Sequence, residues 1–167
     1  YYRISDEYPE ARRVPKLAPI SARKTKNLVL VVAESIRASS YGEDDGPSRS
    51  ARRVSFRDMR ALSSSTAIST MVLFSGYPVT ASREEAHSVP LLWDYAHAAG
   101  YHTAHYSAQN LLFGNNGRWL DGMPLDRHAN ATSLEPRSDM RVGSDDGRLF
   151  ELALGEFGAA LEEPFVA

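Results

Sequence analysis

The sequence predicts an α/β fold, a mostly parallel sheet with helices on both faces. Three observations carry this expectation. Leu28-Val29-Leu30-Val31-Val32-Ala33 is a short, continuous, β-branched run of the kind found in a strand buried on both faces. Amphipathic helical segments follow it, and a second short extended run, residues 101–106, comes directly after one of them across Gly100. Strands alternating with helices in this way build parallel sheets with helical layers.

Taken in order, residues 1–26 are polar and basic, with Pro9, Pro15 and Pro19 interrupting any period, and read as an extended arm or solvated lead-in. The basic character would also suit an anionic membrane surface. The first strand spans residues 28–33 and ends at the charged pair Glu34 and Arg37, before a turn-rich stretch over residues 39–50. A helix is expected over residues 66–75, with Ile68, Met71 and Val72 on one face and Gly76 just past its end. Another is expected over residues 88–99, capped by Ser88, with Pro90 in its first turn and Gly100 ending it. Residues 101–106 form the next strand, and residues 110–124 are loop-rich. An amphipathic helix over residues 145–162 runs through Leu149, Phe150, Ala153, Phe157 and Leu161. Pro164-Phe165-Val166-Ala167 then reads as a strand cut off as it begins.

Composition narrows the function. A length of 167 residues suits about one domain. Lys and Arg total 19 against 21 Asp and Glu, a net charge of −2, so phosphate-backbone attraction is weak and nucleic acid is not expected as a partner. The absence of cysteine removes disulfides, a thiol nucleophile and thiolate metal sites. No apolar run reaches the roughly 20 residues that span a bilayer. The chain opens Tyr1-Tyr2-Arg3 without an initiator Met, which suggests a processed product or a fragment.

Two positions attract chemistry. In open α/β sheets ligands gather beyond the carboxyl ends of the strands, where Glu34 stands. A carboxylate there can ligate a divalent cation, and equally it can cap a helix or pair with Arg37. Ser63-Ser64-Ser65-Thr66 leads into the first helix, where free N–H groups and the positive dipole end favour an anion. The commoner role of such hydroxyls is an ordinary N-cap. The remaining candidates are weaker. His102 and His105 fall on opposite faces of a strand and make a poor chelate pair, and with His97 are assigned to packing or surface. Asp145-Asp146 opens a helix as a cap pair, and Asn130-Ala131-Thr132 is a formal glycosylation sequon. No G-x-S-x-G elbow and no G-x-G-x-x-G after the first strand is present, which disfavours a serine hydrolase and dinucleotide binding.

Four segments taken together resemble the sulfatase-like branch of the alkaline phosphatase superfamily, and within it the phosphoethanolamine transferases. Asn27-Leu28-Val29-Leu30-Val31-Val32-Ala33-Glu34-Ser35-Ile36-Arg37, followed by Tyr41-Gly42, is similar to that branch's opening strand with its V-G-E-S/T-x-R segment and Y-G. Ser65-Thr66-Ala67-Ile68-Ser69-Thr70-Met71-Val72-Leu73-Phe74-Ser75-Gly76 is similar to its nucleophile segment, T-A-x-S-x-x-x-x-F-S, and Phe74-Ser75-Gly76-Tyr77-Pro78 resembles the L-T-G-x-Y-P of arylsulfatases. Val89-Pro90-Leu91 through Ala98-Ala99-Gly100-Tyr101-His102-Thr103 resembles its P-x-L helix and A-G-Y-x-T strand.

The resemblance implies an alkaline phosphatase-like sheet and makes residues 27–167 the N-terminal portion of a sulfatase-like catalytic domain, behind the arm of residues 1–26. It implies that Glu34 and Thr66 ligate a catalytic Zn²⁺ (or Mn²⁺), that Thr66 is the nucleophile, and that Gln109 and Asn110, after the second strand, contact substrate. The implied reaction is phosphoryl or phospho-alcohol transfer or hydrolysis through a phosphothreonine, on a phospholipid or envelope-glycan substrate. The implied location is the cell envelope, facing outward from the cytoplasm, with a membrane anchor in the full-length protein. The family's other metal ligands, an Asp-His pair and further His residues, would lie beyond Pro164, so this chain alone is expected to be catalytically incomplete. Two departures bear on the substrate. The cysteine-bounded loop of the close transferases is absent, and Thr66-Ala67-Ile68-Ser69-Thr70 lacks the C/S-x-P-x-R of formylglycine sulfatases. The second departure disfavours a formylglycine sulfatase and favours phosphoryl or phospho-alcohol transfer. The alternatives are a sulfate-ester hydrolase of the same superfamily and a non-catalytic fragment or degenerate relative.

Overall fold

Strand β1 (His102–Tyr106) lies at the centre of a three-stranded parallel sheet, between β2 (Arg127–Ala129) and β3 (Phe165–Val166). The computed structural model describes residues 12–14, 16–21, 26–34, 60, 61, 63–78, 80, 82–111, 116–136, 143–160 and 164–167. Arg37, Tyr41-Gly42 and the stretch 39–50 lie outside the described residues. The register pairs His105 with His128 and Tyr106 with Ala129 on one side, and His102 with Phe165 and Thr103 with Val166 on the other. Six helices complete the described elements: α1 (Thr66–Ser75), α2 (Arg83–Ser88), α3 (Leu92–Ala98), α4 (Asn116–Leu120), α5 (Ala131–Leu134) and α6 (Asp146–Ala160).

Helices cover both faces. On the face carrying His105, Phe74 of α1 meets Trp93 of α3 edge-on at 4.7 Å, and the Trp93 indole donates to the Ala104 carbonyl at 2.6 Å. Buried Leu91 and Trp93 form the centre of this layer, with Met71, Leu120, Met123 and Leu125 packed around them. On the other face, Phe157 of α6 stacks on Phe165 at 4.8 Å and meets Tyr106 edge-on at 5.6 Å. The sheet is therefore α/β and parallel, and His102 and His105 do face opposite sides of it.

Three sequence expectations are corrected. First, residues 28–33 are not a buried strand. Leu28 makes one parallel bridge to Val166, and the Leu28 and Leu30 N–H groups donate to Phe165 and Ala167. Beyond Leu30 no strand among the described residues runs alongside, and residues 28–32 remain 37–65% exposed. Second, the helix expected over 88–99 is two helices. Ser82 and Glu85 form a reciprocal capping box that starts α2, and Ser88 is its last residue. Pro90 holds Val89 extended, which breaks the helix, and α3 restarts where the Asp94 carboxylate accepts the Leu91 N–H at 2.7 Å. Third, the described part of the arm is not simply solvated. The Arg12 side chain, 1% exposed, donates to Asp94 through both terminal nitrogens at 3.1 Å, and the Arg13 and Ile20 N–H groups bond to His87 and Ala98 carbonyls. β2 had no counterpart in the sequence reading. Gly76 ends α1 as expected, with φ 67° and its N–H on the Val72 carbonyl.

Candidate active site

Glu34 stands where the 28–33 run leaves the sheet edge, beyond its pairing with β3. Thr66 is the first residue of α1. The lead-in to that helix is braced by its own serines: Ser63 Oγ accepts the Ser65 N–H at 3.1 Å, and Ser69 Oγ donates back to the Ser63 carbonyl at 2.9 Å. Ser65 is extended and its side chain makes no cap bond to the first-turn N–H groups. Thr66 Oγ1 instead donates to Glu34 Oε1 at 2.6 Å, across 32 residues of sequence. The other carboxylate oxygen, Oε2, accepts the side-chain amide of Gln109.

Gln109 comes from the loop that follows β1. The Ser107 N–H continues the sheet pattern to the Ala129 carbonyl at 2.9 Å, and Ser107 Oγ accepts the Gln109 N–H at 3.1 Å. Three of the four expected site residues, Glu34, Thr66 and Gln109, thus meet at one carboxylate, from the ends of three segments of the sheet and helix layers. Asn110 is buried, at 7% exposure. Glu34 is exposed and Thr66 and Gln109 are half-buried, so the cluster is open to solvent.

The Glu34 carboxylate and the Thr66 hydroxyl are two hard oxygen donors, 2.6 Å apart, of the kind a divalent ion takes. They fit as part of a Zn²⁺ or Mn²⁺ site. Among the described residues no group of three His, Asp or Glu is placed to hold a metal, so a full ligand set would need more than these residues supply.

Other clusters were not visible in the sequence. His105 and His128, register partners, both line a cavity of about 340 Å³ with Asn130 and Met123. Burial, with the nearby His128 adding to it, pushes His105 down to about 4. On the opposite face the Tyr106 hydroxyl donates to Glu156, and burial, reinforced by that bond, raises the phenol above its ordinary value. His102 sits 3.2 Å from Asp126, whose carboxyl is lowered chiefly by accepting the Thr103 N–H. These partners are 23–50 residues apart, and no local spacing announces them. Asn130 caps α5, accepting the Thr132 and Ser133 N–H groups, so the sequon side chain is engaged. Asp145 likewise caps α6 through the Arg148 N–H.

Comparison with protein-family models, curated proteins and solved structures returned no match. No helix among the described residues is long and apolar enough to cross a membrane.

Proposed function

We propose that this chain carries the nucleophile end of a metal-dependent phosphoryl or phospho-alcohol transfer site of the sulfatase-like kind, with Thr66 as nucleophile and Glu34 as metal ligand and hydrogen-bond acceptor. The observation that carries the reading is the 2.6 Å bond from Thr66 Oγ1 to Glu34, made at a helix start where the Ser65 side chain makes no cap bond. A capping threonine would turn its hydroxyl onto its own helix; this one is held outward on a carboxylate.

Glu34 and Thr66 would hold the ion, which when bound supplies positive charge that lowers the hydroxyl pKa and offsets charge on phosphoryl oxygens. The chain's own residues do the rest. Thr66 Oγ forms the bond to phosphorus as the bond from phosphorus to the departing alcohol oxygen breaks. The hydroxyl proton passes to Glu34 Oε1 and from there to the departing oxygen. Gln109 Nε2 has a second N–H besides the one on Glu34, available to a non-bridging phosphoryl oxygen. The first-turn N–H groups of α1 belong to the same helix end as Thr66 and would favour the same charge. An incoming alcohol or water then takes the group from Thr66 by the reverse sequence. Phospholipid or envelope-glycan substrates, an outward-facing envelope location and an alkaline phosphatase-like whole domain belong to the same reading and rest on the resemblance.

Two measurements test it. Intact-mass analysis of the full-length protein, which would supply the remaining ligands, after incubation with a phosphoethanolamine lipid or an aryl phosphate and Zn²⁺ is expected to show one added group, mapped to Thr66 and absent from Thr66→Val. Calorimetric titration of Zn²⁺ is expected to show binding that Glu34→Ala and Thr66→Ala abolish. Gln109→Leu should weaken it by about 10- to 100-fold, as loss of a ligand's hydrogen-bond partner does. Turnover of an aryl sulfate without an adduct at Thr66 would replace phosphoryl transfer by sulfate-ester hydrolysis. Zn²⁺ binding indifferent to Glu34 would remove the metal site.

A further inference from the structure

We propose that Gly143 is a positioning residue for Gln109: its missing side chain lets the backbone just ahead of α6 press against the loop after β1 and fix where the Gln109 amide meets Glu34. Gly143 has φ +78°, and a Cβ placed on it would lie 2.2 Å from the Ala108 carbonyl oxygen and 3.3 Å from Gln109 Cα. Both of those are backbone atoms, so no side-chain rotation relieves the overlap. The next residue closes the contact: the Ser144 N–H donates to that same Ala108 carbonyl at 2.8 Å. From the other side the Ala131 N–H donates to the Gln109 carbonyl at 3.2 Å, and from within the loop Ser107 Oγ accepts the Gln109 N–H at 3.1 Å.

The backbone of residues 108–109 is thus held between the start of α5 and the residues ahead of α6. Of these braces, the Gly143 contact is the one that tolerates no side chain. Gln109 is the residue whose side chain reaches Glu34, so a shift of its Cα moves the amide off the carboxylate. Gly122 provides a natural control. It shares the left-handed conformation, at φ +74°, but has nothing within 4 Å of its would-be Cβ. The catalytic meaning of this seat rests on the function proposed above, whereas the seat itself is a matter of backbone geometry.

Gln109 is the only glutamine in the chain, so selective ¹⁵N-glutamine labelling yields a single side-chain NH₂ pair. In wild type that pair is expected to shift when Glu34 is replaced by Ala, reporting the contact. Gly143→Ala is expected to move it to the Glu34→Ala position, while Gly122→Ala leaves it at the wild-type position. An unmoved pair in a folded Gly143→Ala chain overturns the proposal. So does a Gly122→Ala shift equal to that of Gly143→Ala, which would assign the effect to general strain. Should Gly143→Ala not fold, hydrogen exchange on wild type decides: the Ser144 amide is expected to be protected, and exchange as fast as an unstructured peptide overturns the seat. No metal, substrate or turnover enters these readouts, so they stand apart from failure of the phosphoryl-transfer reading.

Discussion

His105 is the residue on which acid should act most directly. It packs beside the paired rings of Trp93 and Phe74, at 5.3 and 6.3 Å, and across the register from His128. Burial holds its folded-state pKa near 4, against an ordinary value of 6.5. Between those values the unfolded chain binds a proton that the folded chain refuses. The stabilisation is therefore complete above about pH 6.5 and is lost as pH falls toward 4, below which it is flat. A difference of that size is worth about 3 kcal/mol at most. Urea unfolding at pH 7 and pH 4 should show wild type losing more stability than His105→Leu, by up to that amount. Equal losses in the two chains would mean that His105 is solvated enough to protonate freely. At the candidate site the residue scale was legible in part. Glu34 and Thr66 stand at the ends of segments whose hydrophobic patterns can be read locally, and Gln109 follows a strand that can be read the same way. Gly143 could not be found, because what singles it out is the Ala108 carbonyl, 35 positions earlier in the chain.

At the scale of elements, the break between α2 and α3 and the docking of Arg12 are one arrangement. The Asp94 carboxylate accepts the Leu91 N–H that opens α3 and both terminal nitrogens of Arg12. Asp94→Ala would leave the Arg12 guanidinium buried without its counter-charge and would uncap α3, a loss of about 3–5 kcal/mol for a buried pair broken from one side. Arg12→Met keeps the packing of the stem and leaves Asp94, at 12% side-chain exposure, with its Leu91 bond. It should cost less than half as much. Denaturant midpoints for the two variants order them, and the reverse order would place the stabilisation in the arm rather than in the cap. The elements that the sequence announced, α1, β1, α6 and β3, combine a hydrophobic period with a glycine, proline or acidic boundary. β2 is only Arg127-His128-Ala129, with no apolar alternation, and is a strand because β1 supplies its hydrogen bonds. The split helix was hidden because Ser88 and Pro90 suit the start of a helix as well as the gap between two.

Across the whole molecule, the largest departure from the sequence expectation is also the most consequential. A run with the composition of a central strand lies at the sheet edge, paired on one side with β3 through Leu28 and Leu30. By strand alternation the backbone groups of Val29 and Val31 face away from β3. Val31 is 65% exposed and Val29 51%, and Phe150 and Leu154 of α6 add further exposed apolar surface, at 52% and 66%. An apolar edge whose outward backbone groups meet no strand among the described residues is a template for another strand, and natural sheets commonly blunt such edges with lysine or proline. Lys26 lies ahead of this run, and none of residues 28–33 is charged. Self-association that grows with concentration is therefore expected in sedimentation velocity. Val31→Lys places a charge on the edge without touching the Leu28 and Leu30 bonds to β3, or the bonds of Glu34 to Thr66 and Gln109. It should shift the chain toward monomer while leaving the Gln109 side-chain resonance in place. Association unaffected by Val31→Lys would move the contact to the Phe150–Leu154 face of α6, where Leu154→Lys would then be the substitution that disperses it.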